Sequence, residues 1–158
     1  MAPDLAGEGL YVIAVGTGDP EYEALFRRIS AEYPGRISVV IGFNNRMAHR
    51  IEAGADMFLM PSRYEPCGLN QIYSLRYGTV PVVRATGGLD DTIDEGTGFK
   101  FAEYSGPALL GAVRQAVRAF GDRDIWRSMM LRGMEKDFSW KPSAAAYSAL
   151  YQRLSGKA

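Results

Sequence analysis

The sequence predicts an α/β fold in which helices flank a parallel sheet. Up to about residue 101, short apolar runs alternate with amphipathic stretches, which is the pattern of βα units around a parallel sheet. From residue 106 onward, apolar residues recur at helical spacing, so this part supplies helices that pack on the sheet. The length of 158 residues is typical of one domain.

The predicted strands and helices follow one another in a regular order. Short apolar runs between turn residues predict strands at 10–15, 37–41, 55–60, 80–84 and 99–101. Helical spacing predicts helices at 21–33, 46–53, 69–77, 107–120, 122–136 and 141–154. Asp19 is placed to cap the first helix, with Pro20 at its start, and Gly54 ends the second. We predict a loop at 86–89, followed by a polar segment up to residue 98.

The composition excludes several classes of protein. The 18 basic and 18 acidic residues leave no net charge, so a general nucleic-acid or acidic-polymer binder is not indicated. The one cysteine, Cys67, cannot form an internal disulfide. No apolar run has the length of a membrane span, and the N-terminus does not resemble a signal peptide. We therefore expect a cytoplasmic protein without nucleic-acid or membrane partners.

The segment 61–71, PSRYEPCGLNQ, joins a predicted strand to a predicted helix and holds the first functional candidate, Glu65. Pro66 restricts the residue before it to extended conformations, so the backbone of Glu65 is held in place. In open parallel sheets, ligands bind at the carboxyl ends of strands, where N–H groups of the following helix also point. Glu65 could accept hydrogen bonds from sugar hydroxyls there, and the alternative is a solvated surface carboxylate.

Three predicted loops meet at one edge of a parallel sheet, around Gly42, Glu65 and Gly87. Their glycines would let a ligand approach the backbone closely, namely Gly42, Gly68, Gly87 and Gly88. The helix N-termini after residues 67 and 88 would offer N–H donors, which favours phosphate or diphosphate as the ligand. Phe43 could present a flat face to a base or a sugar.

Other motifs favour structural roles. Gly16-x-Gly18 lacks the third glycine of a dinucleotide fingerprint and is predicted to form a tight turn. His49 lies in a predicted helix, where a structural hydrogen bond is favoured over catalysis. We find no zinc-ligand spacing and no Ser-His-Asp set. From the residues alone, the chain is predicted to be a nucleotide- or phosphate-binding α/β domain.

A set of short motifs spread along the chain occurs together, in the same order and spacing, in one enzyme family. The motifs are GTGDP at 16–20, IGF at 41–43, HRI at 49–51, GAD at 54–56, PSRYEPCGLNQIY at 61–73, YGTVPVVR at 77–84, TGGLDDT at 86–92 and DFSW at 137–140. In these motifs the chain resembles the bacterial glycogen synthases and plant starch synthases, glycosyltransferase family 5. The resemblance implies a Rossmann-like domain that is the C-terminal half of a GT-B fold.

The resemblance implies a retaining transferase that moves glucose from ADP-glucose to the non-reducing end of an α-1,4-glucan. Glu65 would be the catalytic residue, beside the donor glucose, where it would hydrogen-bond the sugar or stabilise developing positive charge at its ring. The substrate-binding residues would be Gly42, Phe43, Cys67, Gly68, Leu69, Asn70, Thr86, Gly87 and Gly88. Phe43 stands where tyrosine is common in the family, and it would keep the stacking face toward adenine. ADP-glucose would be a substrate, so we expect no cofactor and no metal.

The resemblance also implies that residues 1–158 form a single nucleotide-sugar binding domain of a larger enzyme. The acceptor domain, through which the α-glucan binds, and the first part of the donor domain would precede residue 1. That missing part would supply an arginine and a lysine to the diphosphate, and preorganised charge of this kind is often the largest catalytic contribution. The chain alone is therefore expected to bind ADP or ADP-glucose but to be nearly inactive.

Two alternatives remain open at this point. The chain could be a non-catalytic binding or interaction module, because an unpaired sheet edge can pair with another chain. It could also belong to a related GT-B transferase that uses UDP-glucose.

Overall fold

The computed structural model describes residues 2–156, which form parallel strands surrounded by helices. The strands in this range are β1 (Val12–Gly16), β2 (Ile37–Ile41), β3 (Met57–Met60), β4 (Val80–Arg84) and β5 (Phe99–Phe101). The helices are α1 (Ala2–Gly7), α2 (Pro20–Glu32), α3 (Asn45–Gly54), α4 (Asn70–Tyr77), α5 (Gly87–Thr92), α6 (Gly106–Phe120), α7 (Arg123–Glu135) and α8 (Trp140–Leu154). The predicted α/β class is confirmed, and each strand and helix predicted from the sequence is present.

Two short helices are absent from the helices that helical spacing predicted, although a helix N-terminus was expected after residue 88. The six-residue helix α1 is held by Leu5, which is buried in the main hydrophobic core. The helix α5 begins within the segment that we predicted to be a loop, at Gly87 and Gly88. Two successive glycines are poor helix formers, and α5 is stabilised by the burial of Leu89 in the core. In both cases tertiary packing outweighs the local sequence preference.

The strands form two parallel ladders where the sequence predicted one sheet. β1 pairs with β2, and β4 lies between β3 and β5. Within residues 2–156 the two ladders share no strand pairing, and the chain passes from one to the other through α3. They nevertheless share a core, in which Val12 of β1 and Met57 of β3 pack against the cluster that contains Val82.

Burial is uneven across the two ladders. Residues 80–83 of β4 are all buried: Val80 and Val82 pack against α7 and α6, and Val83 packs against residues of α4 and α5 on the other face. In contrast, Ile13 of β1 is 55% exposed, and each residue of β3 is only partly buried. Strands of parallel sheets are normally buried on both faces. β1 and β3 are therefore less well covered than β4.

Among residues 2–156, no helix is long and apolar enough to cross a membrane.

Candidate functional site

The loop 61–69 leaves the carboxyl end of β3 and leads into α4, as the sequence predicted. It carries the half-buried Glu65 and the exposed Cys67. Gly68 has a φ of 72°, a left-handed conformation that favours glycine. A Cβ at this position would also lie 2.4 Å from Oε1 of Gln71. The path of the loop therefore requires the glycine at this position.

The first turn of α4 is open to an anion. The residue before it, Leu69, makes no side-chain cap in the described structure. The first N–H groups of a helix have no partner inside the helix, and they carry partial positive charge. Leu69 and Asn70 are exposed at this end. The geometry therefore suits a phosphate group, which is the ligand that the sequence predicted here.

Gly87 and Gly88 allow two loops to pack closely. A Cβ at Gly87 would lie 2.1 Å from the carbonyl oxygen of Glu65, and one at Gly88 would lie 2.1 Å from that of Cys67. The Gly88 N–H donates to the Glu65 carbonyl at 3.0 Å. The space beside these glycines is thus filled by protein backbone, where we had expected a ligand.

This packing corrects a second expectation about α5. The sequence predicted free N–H donors at the helix N-terminus after residue 88. The Gly88 N–H is bonded to Glu65, and the Leu89 N–H donates to the carbonyl of Thr86 at 3.1 Å. That prediction is wrong for the Leu89 N–H, the first one after residue 88, because a hydrogen bond within the protein already uses it. Thr86, half-buried, is the residue before α5 and makes no side-chain cap in the described structure.

A cavity of about 210 Å³ lies between the carboxyl ends of β1 and β2 and the start of α4. Its walls are formed by Val15, Gly16, Gly42, Phe43, Asn44, Asn45, Ala48, His49, Glu52, Asn70 and Tyr73. Phe43 is 89% exposed, so its ring is accessible at the mouth. The structure therefore brings Gly42 and Phe43 next to Asn70, while Glu65 and the other predicted site residues lie outside this cavity.

Glu52 is a cavity residue that the sequence did not reveal. It is 4% exposed, and its Oε2 accepts no hydrogen bond from any group in the described range. Burial raises the pKa of the Glu52 carboxyl, and His49 partly opposes that shift, with its Nδ1 at 3.5 Å. The available sequence signal was weak: Glu52 follows Ala48 by one helical turn, on the inner face of α3.

His49 has the structural contacts that the sequence predicted. Its Nδ1 lies 3.4 Å from the hydroxyl of Tyr77, and its ring centroid lies 5.6 Å from that of Tyr73. These contacts join α3 to α4 beneath the cavity. In the part of the chain that the structure describes, no group of three His, Cys, Asp or Glu side chains could hold a metal ion.

Comparison with known proteins supports a common origin for this fold and these loops. The chain is 58% identical over 157 residues to a glycogen synthase from an Anaeromyxobacter species, which covers 96% of the chain and 33% of that protein. It is 56% identical over 156 residues to the glycogen synthase of Koribacter versatilis, which covers 94% of the chain and 32% of that protein. The chain thus spans about a third of the length of these curated relatives.

A solved structure agrees with these sequence matches. The catalytic domain of starch synthase IV from Arabidopsis thaliana, bound to ADP and acarbose, matches with a TM-score of 0.80 and 29% identity. The match covers 91% of this chain and 32% of that one. The predicted resemblance to glycogen and starch synthases is confirmed. Residues 2–127 match the family model for glycosyl transferases group 1. The chain therefore belongs to the glycosyl transferases group 1 family.

Proposed function

We propose that the chain is the donor-binding part of a retaining glucosyltransferase that extends α-1,4-glucan with glucose from ADP-glucose. The observation that carries this proposal is the open start of α4, which follows the Glu65 loop and borders the cavity at Asn70. Similarity to glycogen synthases supports the choice of reaction. The ADP bound to the related starch synthase supports the choice of nucleotide.

Each part of the donor has a matching feature. The diphosphate would bind the first N–H groups of α4, with the sugar beside Glu65, Cys67 and Gly68. The base would lie against the exposed ring of Phe43. The cavity of about 210 Å³ is smaller than ligand sites of about 300–1,000 Å³, which enclose most of their ligand. We therefore expect the base to stay partly exposed and ADP to bind weakly.

The divided sheet supports the proposal that the active enzyme contains more than this chain. Doubly wound sheets have the strand order 3-2-1-4-5-6, in which β2, β1 and β3 of this chain would match the third, second and fourth strands. The first strand of such a sheet then lies between the counterparts of β1 and β3. A further parallel strand at this place would join the ladders and cover Ile13. An upstream segment that supplies it, together with cations for the leaving diphosphate and an acceptor domain for the glucan, would complete a cytoplasmic synthase. Alone, the chain would have little activity.

The same uncovered strands favour a second candidate function. An unpaired strand edge can add a strand from another chain, so this face could serve a binding module without catalysis. Light scattering with and without ADP separates the two functions. A monomer that binds ADP supports the donor domain, and a dimer that ignores nucleotides supports the interaction module.

Calorimetry with ADP and UDP tests the proposal. ADP is expected to bind weakly and better than UDP, whereas a preference for UDP would favour a UDP-glucose transferase. Phe43→Ala should weaken ADP binding about tenfold, because stacking of a base on an aromatic ring contributes roughly 1–3 kcal/mol. Tyr22→Ala, at an exposed aromatic residue on α2, is the matched control and should bind ADP normally. Absence of binding at millimolar ADP contradicts the proposal.

A further inference from the structure

Gln71 is a fully buried polar residue in the first turn of α4 that the proposed function does not use. Its side chain is 0% exposed. Its Nε2 donates to the carbonyl oxygens of Cys67 at 3.0 Å and Gly68 at 3.1 Å. It also lies 3.3 Å from Oγ1 of Thr92. A side chain with this burial cannot touch a ligand, so any role it has must act through its neighbours.

The contacts identify which end of the amide faces the loop. The two carbonyls can only accept hydrogen bonds, and the Thr92 hydroxyl already donates its proton to the carbonyl of Gly88. Three acceptors therefore surround one nitrogen, which fits the NH₂ end of the amide, with one of its two hydrogens shared between two acceptors. Oε1 is left buried without a hydrogen-bond partner in the described structure.

These bonds join two loops that follow different strands. Gln71 holds Cys67 and Gly68, which belong to the loop after β3. Thr92 is the last residue of α5, which follows β4. The link continues from Thr92 to the Gly88 carbonyl, and the Gly88 N–H returns to the Glu65 carbonyl at 3.0 Å. Gln71 and Thr92 thus close a chain of hydrogen bonds around the Glu65 loop.

We propose that Gln71 is a positioning residue that, together with Thr92, sets the place of the loop 65–68 relative to the start of α4. The hydrogen bonds of Gln71 and Thr92 support the effect on the position of the loop. Its consequence for ligand binding rests on the proposed function, in which Glu65, Cys67 and Gly68 contact the donor sugar. Loss of the Gln71 donors should release this loop while the rest of the fold stays intact.

Amide hydrogen exchange in the whole chain provides the first test. Gln71→Met keeps the length of the side chain and removes its donors, and Thr92→Val removes the hydroxyl at nearly constant size. Either change should speed exchange of the Gly88 amide by about tenfold or more, because that amide reports the bond to Glu65. The Trp126 amide in α7, which donates to the carbonyl of Asp122, should keep its rate. Thr92→Ser retains a hydroxyl and should exchange like the wild type.

The outcomes decide the proposal in each case. A Gly88 rate that does not change, or that rises by the same factor as that of Trp126, overturns it, since Gln71 would then support only global stability. If Gln71→Met does not fold, Thr92→Val provides the same comparison.

ADP titration separates this inference from the proposed function. If the wild type binds ADP, Gln71→Met and Thr92→Val should weaken that binding, and Thr92→Ser should bind ADP like the wild type. If these two variants bind ADP as tightly as the wild type although their Gly88 amide exchanges faster, Gln71 does not position the loop for the ligand. If the wild type does not bind ADP, the proposed function fails, while the exchange experiment still decides whether Gln71 positions the loop.

Discussion

Gly88→Ala is the substitution whose effect follows most directly from the structure. Gly88 is buried in α5, and a Cβ there would lie 2.1 Å from the carbonyl oxygen of Cys67 and 2.5 Å from its Cα. Real Cβ contacts are essentially never shorter than 3.0 Å, so the backbones must separate by about 0.9 Å, the difference between 3.0 and 2.1 Å. Inserting a methyl group against rigid neighbours costs about 1–3 kcal/mol. We expect the upper end of this range, because the contacting atoms belong to the backbone.

Thermal unfolding measures this cost. For a domain of this length, a loss of about 3 kcal/mol corresponds to a fall in Tm of roughly 6–12 °C. Gly111→Ala is the matched control, because Gly111 is exposed within α6 and no described atom lies within 4 Å of its added Cβ. Alanine at this position should raise the free energy of unfolding by about 0.5–1 kcal/mol. A Tm of Gly88→Ala equal to or higher than that of Gly111→Ala would refute the close packing of the two loops.

Two further predictions concern charged groups. Burial raises the pKa of Glu52, so its carboxylate lowers stability as the pH rises through that pKa. Glu52→Gln should therefore stabilise the chain by about 1 kcal/mol at neutral pH, and unfolding at acid pH, where Glu52 is protonated, should show no gain. The hydrogen bond from Lys136 lowers the pKa of Asp94, so that carboxylate contributes stability that is lost as the pH falls through its lowered pKa. Asp94→Asn should accordingly lower Tm at neutral pH, with a difference that disappears under strongly acid conditions; a difference that is independent of pH would contradict this.

The sequence predicted most of the fold because its strands and long helices have clear local patterns. The helices α1 and α5 lack such patterns, since they depend on the burial of Leu5 and Leu89 in cores built by distant residues. The division into two ladders could not be predicted either, because the pattern of β1 or β3 alone does not show that these two strands are not paired with each other. Periodicity places a strand but does not choose its neighbour.

The candidate site was predicted in outline and changed in detail. Glu65 and the start of α4 lie at the predicted strand end. Gly88 was predicted to make room for a ligand, and in the structure it makes room for the backbone of Cys67. A glycine in the sequence does not tell which neighbour approaches it. Gln71 and Glu52 were missed for a related reason, because a polar residue in a helix gives no sign of whether it faces solvent or the interior.

The central claim is that a nucleoside diphosphate binds at the start of α4, and amide chemical shifts on titration with ADP test it most directly. The account predicts the largest shifts at Gly68, Leu69 and Asn70, with a second set at Gly42 and Phe43. Shifts that are absent at millimolar ADP, or confined to α7 and α8, would contradict it.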